Sequence, residues 1–314
     1  MSSADATRVE PDSMVVQLQT GERIHYLDWD AGGTGSPIAL IHGLTRTAWS
    51  WLPVARRLAG RHPVVAPDLR GHGASDAPSG GYALDSLALD MLTVMAGRGW
   101  GEAVTGPPVT VAGHGLGAMI AVEMARLQPA SVAALALLDA GWEEMAQATR
   151  MLPMQLVEAM ADPPDAMASL EAYLSDRRAF DPATWDADQE TAARAQVVEK
   201  HAGHVGLVTK GSVIRRVVEA MYAYRPLEAV VEVPCPIVVL VADATTADDE
   251  DRRERGLALK DAQRARAAAG LAPMRIRVFE GAGHDLMRYR PAEVAAEVEQ
   301  LLGASSMPAP RAGD

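Results

Sequence analysis

Val109-Thr110-Val111-Ala112-Gly113-His114-Gly115-Leu116-Gly117-Ala118 is the stretch on which the reading of this chain turns. A short apolar run of strand character meets three glycines spaced by one residue, and an apolar, helix-forming stretch continues to Leu127. Glycine lets a backbone turn tightly and approach a neighbour closely, so the pattern predicts a strand over Val109 to Ala112, a sharp turn, and a helix over Leu116 to Leu127. Gly115 sits at the turn.

The same alternation extends outward in both directions. Val15 to Leu18 and Ile24 to Trp29 predict an opening hairpin around Thr20-Gly21. Pro37 to Ile41, Val64 to Pro67, Val132 to Leu138, Ile237 to Val241 and Ile276 to Phe279 are short apolar runs that suit parallel strands buried on both faces. Trp51 to Leu58, Ser86 to Met95 and Pro291 to Leu302 are the helical stretches between and after them, with Pro291 placed as a first-turn proline. Alternating strands and helices predict an α/β fold with a mainly parallel sheet. Gly141 to Val233 breaks the alternation. It contains no evident strand and carries Met145, Met151, Met154, Met160, Met167 and Met221, so it is expected to be an all-helical insertion. Its methionines either fill its own core or line a substrate pocket beneath it. The expected layout is a core of residues 14–140 and 234–303, a helical cap of 141–233, and flexible tails at 1–13 and 304–314.

Composition bounds the function. The 314 residues are 48% hydrophobic and 22% charged, and 29 Lys and Arg stand against 41 Asp and Glu, a net charge of −12. An acidic chain repels phosphate backbones, so no nucleic-acid partner is expected. The single cysteine, Cys235, excludes an internal disulfide framework and a cysteine-rich zinc site. No apolar run approaches the roughly 20 residues that span a bilayer, and the first fifteen residues lack a signal-peptide core. The expectation is a cytoplasmic protein with no membrane partner, acting on a small molecule. Its oligomeric state is not legible. Aromatics are 4% with two Phe, so the core must be built from Ala, Val, Leu and Met.

Four motifs occur in order, each at the end of an expected strand: Ile41-His42-Gly43-Leu44; Pro67-Asp68-Leu69-Arg70-Gly71-His72-Gly73-Ala74-Ser75-Asp76; Gly113-His114-Gly115-Leu116-Gly117; and Gly281-Ala282-Gly283-His284-Asp285. Together, over residues 37 to 302, they resemble the α/β-hydrolase superfamily. The resemblance implies a mostly parallel eight-stranded sheet wrapped by helices, with a cap inserted after the sixth strand, where Gly141 to Val233 falls. It implies a G-x-S-x-G nucleophile elbow at Gly113 to Gly117, an oxyanion hole from the Leu44 and Leu116 N–H groups, and His284 as the catalytic histidine. No cofactor and no metal are implied.

The chain departs from the family at its reactive atom. Gly115 holds the nucleophile position and has no side chain, so no acyl-enzyme can form there. The supporting acid is open. The family's usual position falls on Thr245; Asp243 is the first choice, Asp139 the second and Asp248 the third, with Asp249 also near. Asp248 and Asp249 also fit a solvated helix start. His42 and His72 suit structural roles, Asp68 and Arg70 suit a pair that pins a loop, and His201-Ala202-Gly203-His204 suits a solvated pair rather than a metal site.

The expected function is an enzyme without a covalent serine that acts on a small apolar carbonyl compound. Ester or lactone hydrolysis and related base-catalysed lyase or cyclase chemistry both fit. A serine esterase whose nucleophile was replaced by glycine and a non-catalytic ligand binder are the alternatives. A further one arises because Gly113 to Ala118 also fits the G-x-G-x-x-G/A dinucleotide turn, with Asp139 at ribose-binding distance in sequence. That reading leaves the other three motifs unexplained.

Overall fold

The computed structural model describes residues 10–30, 32–160, 166–244 and 247–305. The opening hairpin forms where Thr20-Gly21 predicts it, as β1 (Asp12–Gln17) and β2 (Arg23–Trp29), paired antiparallel. Asp12 and Ser13 therefore belong to a strand rather than to a tail, and Ala304 and Ser305 belong to the last helix. The other predicted strands follow as β3 (Ile38–Ile41), β4 (Val64–Pro67), β5 (Val109–His114) and β6 (Val132–Leu138). A small hairpin, β7 (Val197–Glu199) and β8 (Val205–Leu207), precedes β9 (Ile237–Asp243) and β10 (Arg275–Glu280). The main sheet has eight strands in the order β1-β2-β4-β3-β5-β6-β9-β10. From β4 to β10 all neighbours are parallel; β2 joins β4 antiparallel.

Alternate residues of the central strands enter opposite cores, as strand geometry requires. Ala39, Ile41, Val109 and Val111 pack on one side, Ile38, Leu40 and Ala112 on the other. The first side is covered by α2 (Leu84–Gly97) and α3 (Leu116–Leu127), the second by α1 (Leu52–Leu58) and, at the end of the chain, α12 (Pro291–Ser305). Both faces being covered explains why these strands are continuously apolar.

Between β6 and β9 the chain forms α4 (Met145–Thr149), α5 (Pro153–Ala159), α6 (Leu170–Phe180), α7 (Ala187–Ala195), the β7–β8 hairpin, α8 (Gly211–Ala223) and α9 (Pro226–Val230). The all-helical expectation thus needs correction by one hairpin. Ala202 (φ 49°) and Gly203 (φ 80°) both adopt left-handed backbone, and His204 N–H closes the turn on His201 C=O at 2.9 Å. His201 and His204 are its exposed tip. The six methionines divide: Met145, Met160 and Met221 line a cavity, Met167 packs beside Tyr173 and Leu174, and Met151 and Met154 are exposed. After β9 comes α10 (Asp249–Ala268), and after β10 the short α11 (Leu286–Tyr289).

The second motif is structural, though not through the expected pair. Arg70 makes a buried, bidentate bridge to Asp90 of α2, at 2.6 and 2.7 Å, rather than to Asp68. Asp68 instead accepts the Ala48 and Ala74 N–H groups and a His25 hydrogen bond. His42 accepts Leu69 N–H at 3.0 Å, which ties the first motif to the second. Burial holds the His72 pKa down at about 3, so its ring is neutral.

Candidate active site

The turn between β5 and α3 is built by close approach. A Cβ on Gly113 would stand 2.1 Å from Gly117 C=O, and one on Gly117 would stand 2.2 Å from Ile41 C=O, so only glycine fits at either position. Gly115 itself has φ 55° and ψ −118°, a backbone that side-chain-bearing residues adopt only under strain. It opens α3, whose first N–H groups have no acceptor within the helix. Leu116 N–H is the first of these.

The β3 loop faces this turn. Arg46 N–H closes a turn on Gly43 C=O at 3.1 Å, with Thr45 at φ 63°. Leu44 N–H lies inside that turn, outside its closing bond. Gly43 is required by proximity: a Cβ there would lie 2.8 Å from His114 Nδ1.

His284 comes from the loop after β10. Its Nε2 is 3.4 Å from the point where a Cβ on Gly115 would stand, and its Nδ1 is 2.7 Å from Asp139 Oδ2. Asp139 ends β6 at φ 55°. Its other oxygen accepts Ala242 N–H at 2.8 Å and Arg255 Nη2 at 2.7 Å. Burial opposes the Asp139 charge, but His284 and Arg255 outweigh it and hold the carboxyl below its usual range. The His284 side chain is 58% exposed toward the cavity; the protein packed around it opposes protonation, and the Asp139 hydrogen bond and charge outweigh that, so its pKa stands above the usual histidine value. With Asp139 ionised, Nδ1 carries the proton and Nε2 presents its lone pair to the turn.

Asp243, the first choice for this contact, is elsewhere. Its carboxylate pairs with Arg252 of α10 at 2.8 Å. Asp248 caps α10, accepting Asp251 N–H at 2.7 Å, and Asp249 is exposed beside Arg252. Thr245 lies outside the described residues. The dinucleotide reading also fails on this geometry, because both Asp139 oxygens are engaged by the protein.

A cavity of about 630 Å³ opens above Gly115. Leu44, Leu116 and His284 line its floor; Met145, Leu156, Met160 and Met221 line the side formed by the β6–β9 insertion. Its charged wall went unforeseen. Arg46 bridges Asp285 at 2.6 Å, which helps hold that carboxyl down at about 2 against its burial. Arg255 bridges Asp139 and Glu143, and burial pushes the Glu143 carboxyl above its usual range. His114 Nε2–H donates to His284 C=O at 3.1 Å, and burial pushes the ring's pKa down to about 3, so it is neutral. Asp285, next to His284 in sequence, was the one of these with a local signal. Among the described residues, no group of three or more His, Cys, Asp or Glu is placed to hold a metal, and no helix is long and apolar enough to cross a membrane.

Comparison with known proteins agrees with the fold. A family model described as the alpha/beta hydrolase family matches residues 38–297. A soluble epoxide hydrolase from Corynebacterium sp. is 34% identical over 101 residues, 32% of this chain and 32% of that protein. The lipase LipV of Mycobacterium tuberculosis is 33% identical over 137 residues, 43% of this chain and 47% of that protein. The chain thus spans about a third to a half of the length of these curated relatives. Among solved structures, an E-2-(acetamidomethylene)succinate hydrolase superposes with a TM-score of 0.76 at 19% identity, covering 93% of this chain and 99% of that one. A match that runs from β3 into α12, over this sheet order and through this turn, makes the chain a member of the alpha/beta hydrolase family.

Proposed function

We propose that the chain is a hydrolase-type enzyme that acts on a small, largely apolar ester or lactone without forming an acyl-enzyme, the β6–β9 insertion serving as the cap of its pocket. The observation that carries this reading is His284 Nε2, without a hydrogen-bond partner among the described residues, oriented through Asp139, 3.4 Å from the point where a Gly115 side chain would begin. Glycine leaves there the volume in which a water can stand between the imidazole and a bound carbonyl carbon. The water oxygen attacks the carbonyl carbon and gives its proton to His284 Nε2. The carbonyl oxygen takes up the negative charge and accepts the Leu44 and Leu116 N–H groups. Collapse breaks the bond to the leaving alkoxide, which recovers the proton from the imidazolium. An acid and an alcohol result. The methionine- and leucine-lined side of the cavity supports an apolar substrate; the lipase and epoxide hydrolase relatives support hydrolysis of small molecules.

A panel of short-chain aryl esters and lactones tests this with parent and His284→Ala proteins. Turnover in the parent, its loss in His284→Ala, and no acyl adduct on any cavity residue by peptide mass mapping are expected. An adduct in the cavity overturns direct water attack. Tight binding of the same compounds with no turnover favours a ligand-binding protein instead.

A further inference from the structure

A serine, a histidine and an aspartate meet at the opposite end of the sheet order from β9 and β10, among residues that line no part of the His284 cavity. Ser13 Oγ of β1 is 2.9 Å from His25 Nε2 of β2, and His25 Nδ1 is 2.7 Å from Asp68 Oδ2 after β4. With the His25 ring neutral, the polarity of this chain of contacts follows from Asp68. Asp68 is buried, which by itself opposes its charge, but the His25 contact and the Ala48 and Ala74 N–H groups hold it ionised. An ionised carboxylate only accepts, so His25 Nδ1 carries the proton and Nε2 is the acceptor. Ser13 Oγ–H must then donate to it. This is the arrangement by which a histidine takes the proton of an attacking serine.

The serine is also reachable. Ser13 is exposed on an edge strand, whereas His25 is 6% exposed and Asp68 1% exposed. Val15, two residues on and so on the same face, is 58% exposed and offers an apolar surface beside the hydroxyl.

We propose that Ser13, His25 and Asp68 form a second nucleophile site, at which Ser13 accepts an acyl group from activated esters with short apolar acyl chains. Ser13 Oγ bonds to the acyl carbon, its proton passes to His25 Nε2, and the bond to the leaving aryloxide breaks. His25 then releases the proton to water, leaving acyl-Ser13, aryloxide and a solvent proton. Ser13 stands on an exposed strand, where an unactivated serine ester hydrolyses slowly in solvent, so the reaction is expected to stop at one acyl group per chain.

The test treats the full chain with a fluorophosphonate probe and maps the adduct by peptide mass. One adduct at Ser13 is expected, formed at least about 100-fold faster than at exposed Ser79, which lacks such a partner. Ser13→Ala should abolish it, and His25→Gln should slow it by about the same factor. His284→Ala should retain it, which separates this site from the cavity. Because His25 is buried and its variant can misfold, a second measurement follows p-nitrophenolate release from p-nitrophenyl acetate. A burst of one equivalent in the parent and none in Ser13→Ala is expected, Ser13 being exposed. Labelling of Ser13 no faster than Ser79, labelling unchanged in a folded His25→Gln, or a burst that survives in Ser13→Ala overturns the proposal.

Discussion

Asp139 reaches His284 across 145 positions of sequence and places Oδ2 2.7 Å from Nδ1. The contact exists because β6 and β9 are parallel neighbours: Asp139 stops β6 in a left-handed conformation, and its second oxygen is pinned by Ala242 N–H of β9. The carboxylate is therefore oriented by backbone on one side and by imidazole on the other.

Asp139→Asn tests what that orientation does. An asparagine can still accept Ala242 N–H and Arg255, so the fold should survive. Its amide would donate toward Nδ1 and drive the imidazole proton to Nε2, removing the base. The expected result is a loss of kcat of about 10²–10⁴-fold with KM changed little. Steady-state kinetics on the best ester of the panel reads it; a loss confined to KM counts against the role.

Activity should depend on pH through His284. The imidazole acts as a base only when neutral, and its pKa is raised, so kcat/KM should climb as pH rises through a midpoint above the ordinary value of 6.5. Stability should run the other way. A raised folded pKa favours the protonated form, so this contribution is complete below the unfolded-state pKa and is lost as pH rises through the folded one. Asp285 and Arg46 also face the ring and oppose one another. Melting temperature against pH, in the parent and in His284→Ala, should differ in slope across that window; parallel curves would exclude the linkage.

How much of this was legible depended on whether the signal was local. The β5–α3 turn was, because Gly113 and Gly117 are forced by contacts that follow from the turn itself, and α3 spans the predicted Leu116 to Leu127. His284 was, through its strand exit and flanking glycines. The acid was not. Asp139 and Asp243 both end apolar strands, and the choice between them is made by α10, whose Arg252 takes Asp243 while Arg255 joins Asp139. That helix buries little beyond Ala258, Leu259, Ala262 and Arg266, too sparse a stripe to announce itself in a run of charges. Ser13 and His25 were invisible for a related reason. Their meeting depends on the diagonal between β1 and β2, and Asp68 arrives from a third strand end.

Gly43→Ala should misplace the loop proposed to bind the oxyanion. The added methyl would stand 2.8 Å from His114 Nδ1 and 3.3 Å from His114 C=O, and the backbone oxygen belongs to β5. The β3 loop must then move, taking Leu44 N–H with it. A loss of about 10²–10³-fold in kcat is expected, the effect of removing one such donor, with about 1–3 kcal/mol of destabilisation from overpacking. Kinetics and urea unfolding on the same variant check both numbers, and unchanged kcat would place the oxyanion elsewhere.

Gly115→Ser should install a nucleophile beside the proposed base, His284. The new Cβ would meet His284 Nε2 at 3.4 Å and Gly43 Cα at 3.8 Å, ordinary contacts, so space is not the obstacle. The backbone is: at φ 55° a side chain introduces strain of about 1–3 kcal/mol. A domain with a stability of about 5–15 kcal/mol tolerates that loss. From Cβ, one further bond brings Oγ within hydrogen-bond reach of Nε2, and an acyl group on it would direct its carbonyl oxygen to Leu44 and Leu116 N–H. The variant should therefore form a phosphonyl adduct at residue 115 that the parent cannot form, and in a Ser13→Ala background should show a burst that depends on His284. The double variant Gly115→Ser, His284→Ala should lose the adduct at residue 115. A folded Gly115→Ser protein that remains unlabelled there would mean that the Leu44 and Leu116 donors do not converge on the carbonyl, and the direct-attack mechanism, which relies on the same donors, would fall with it.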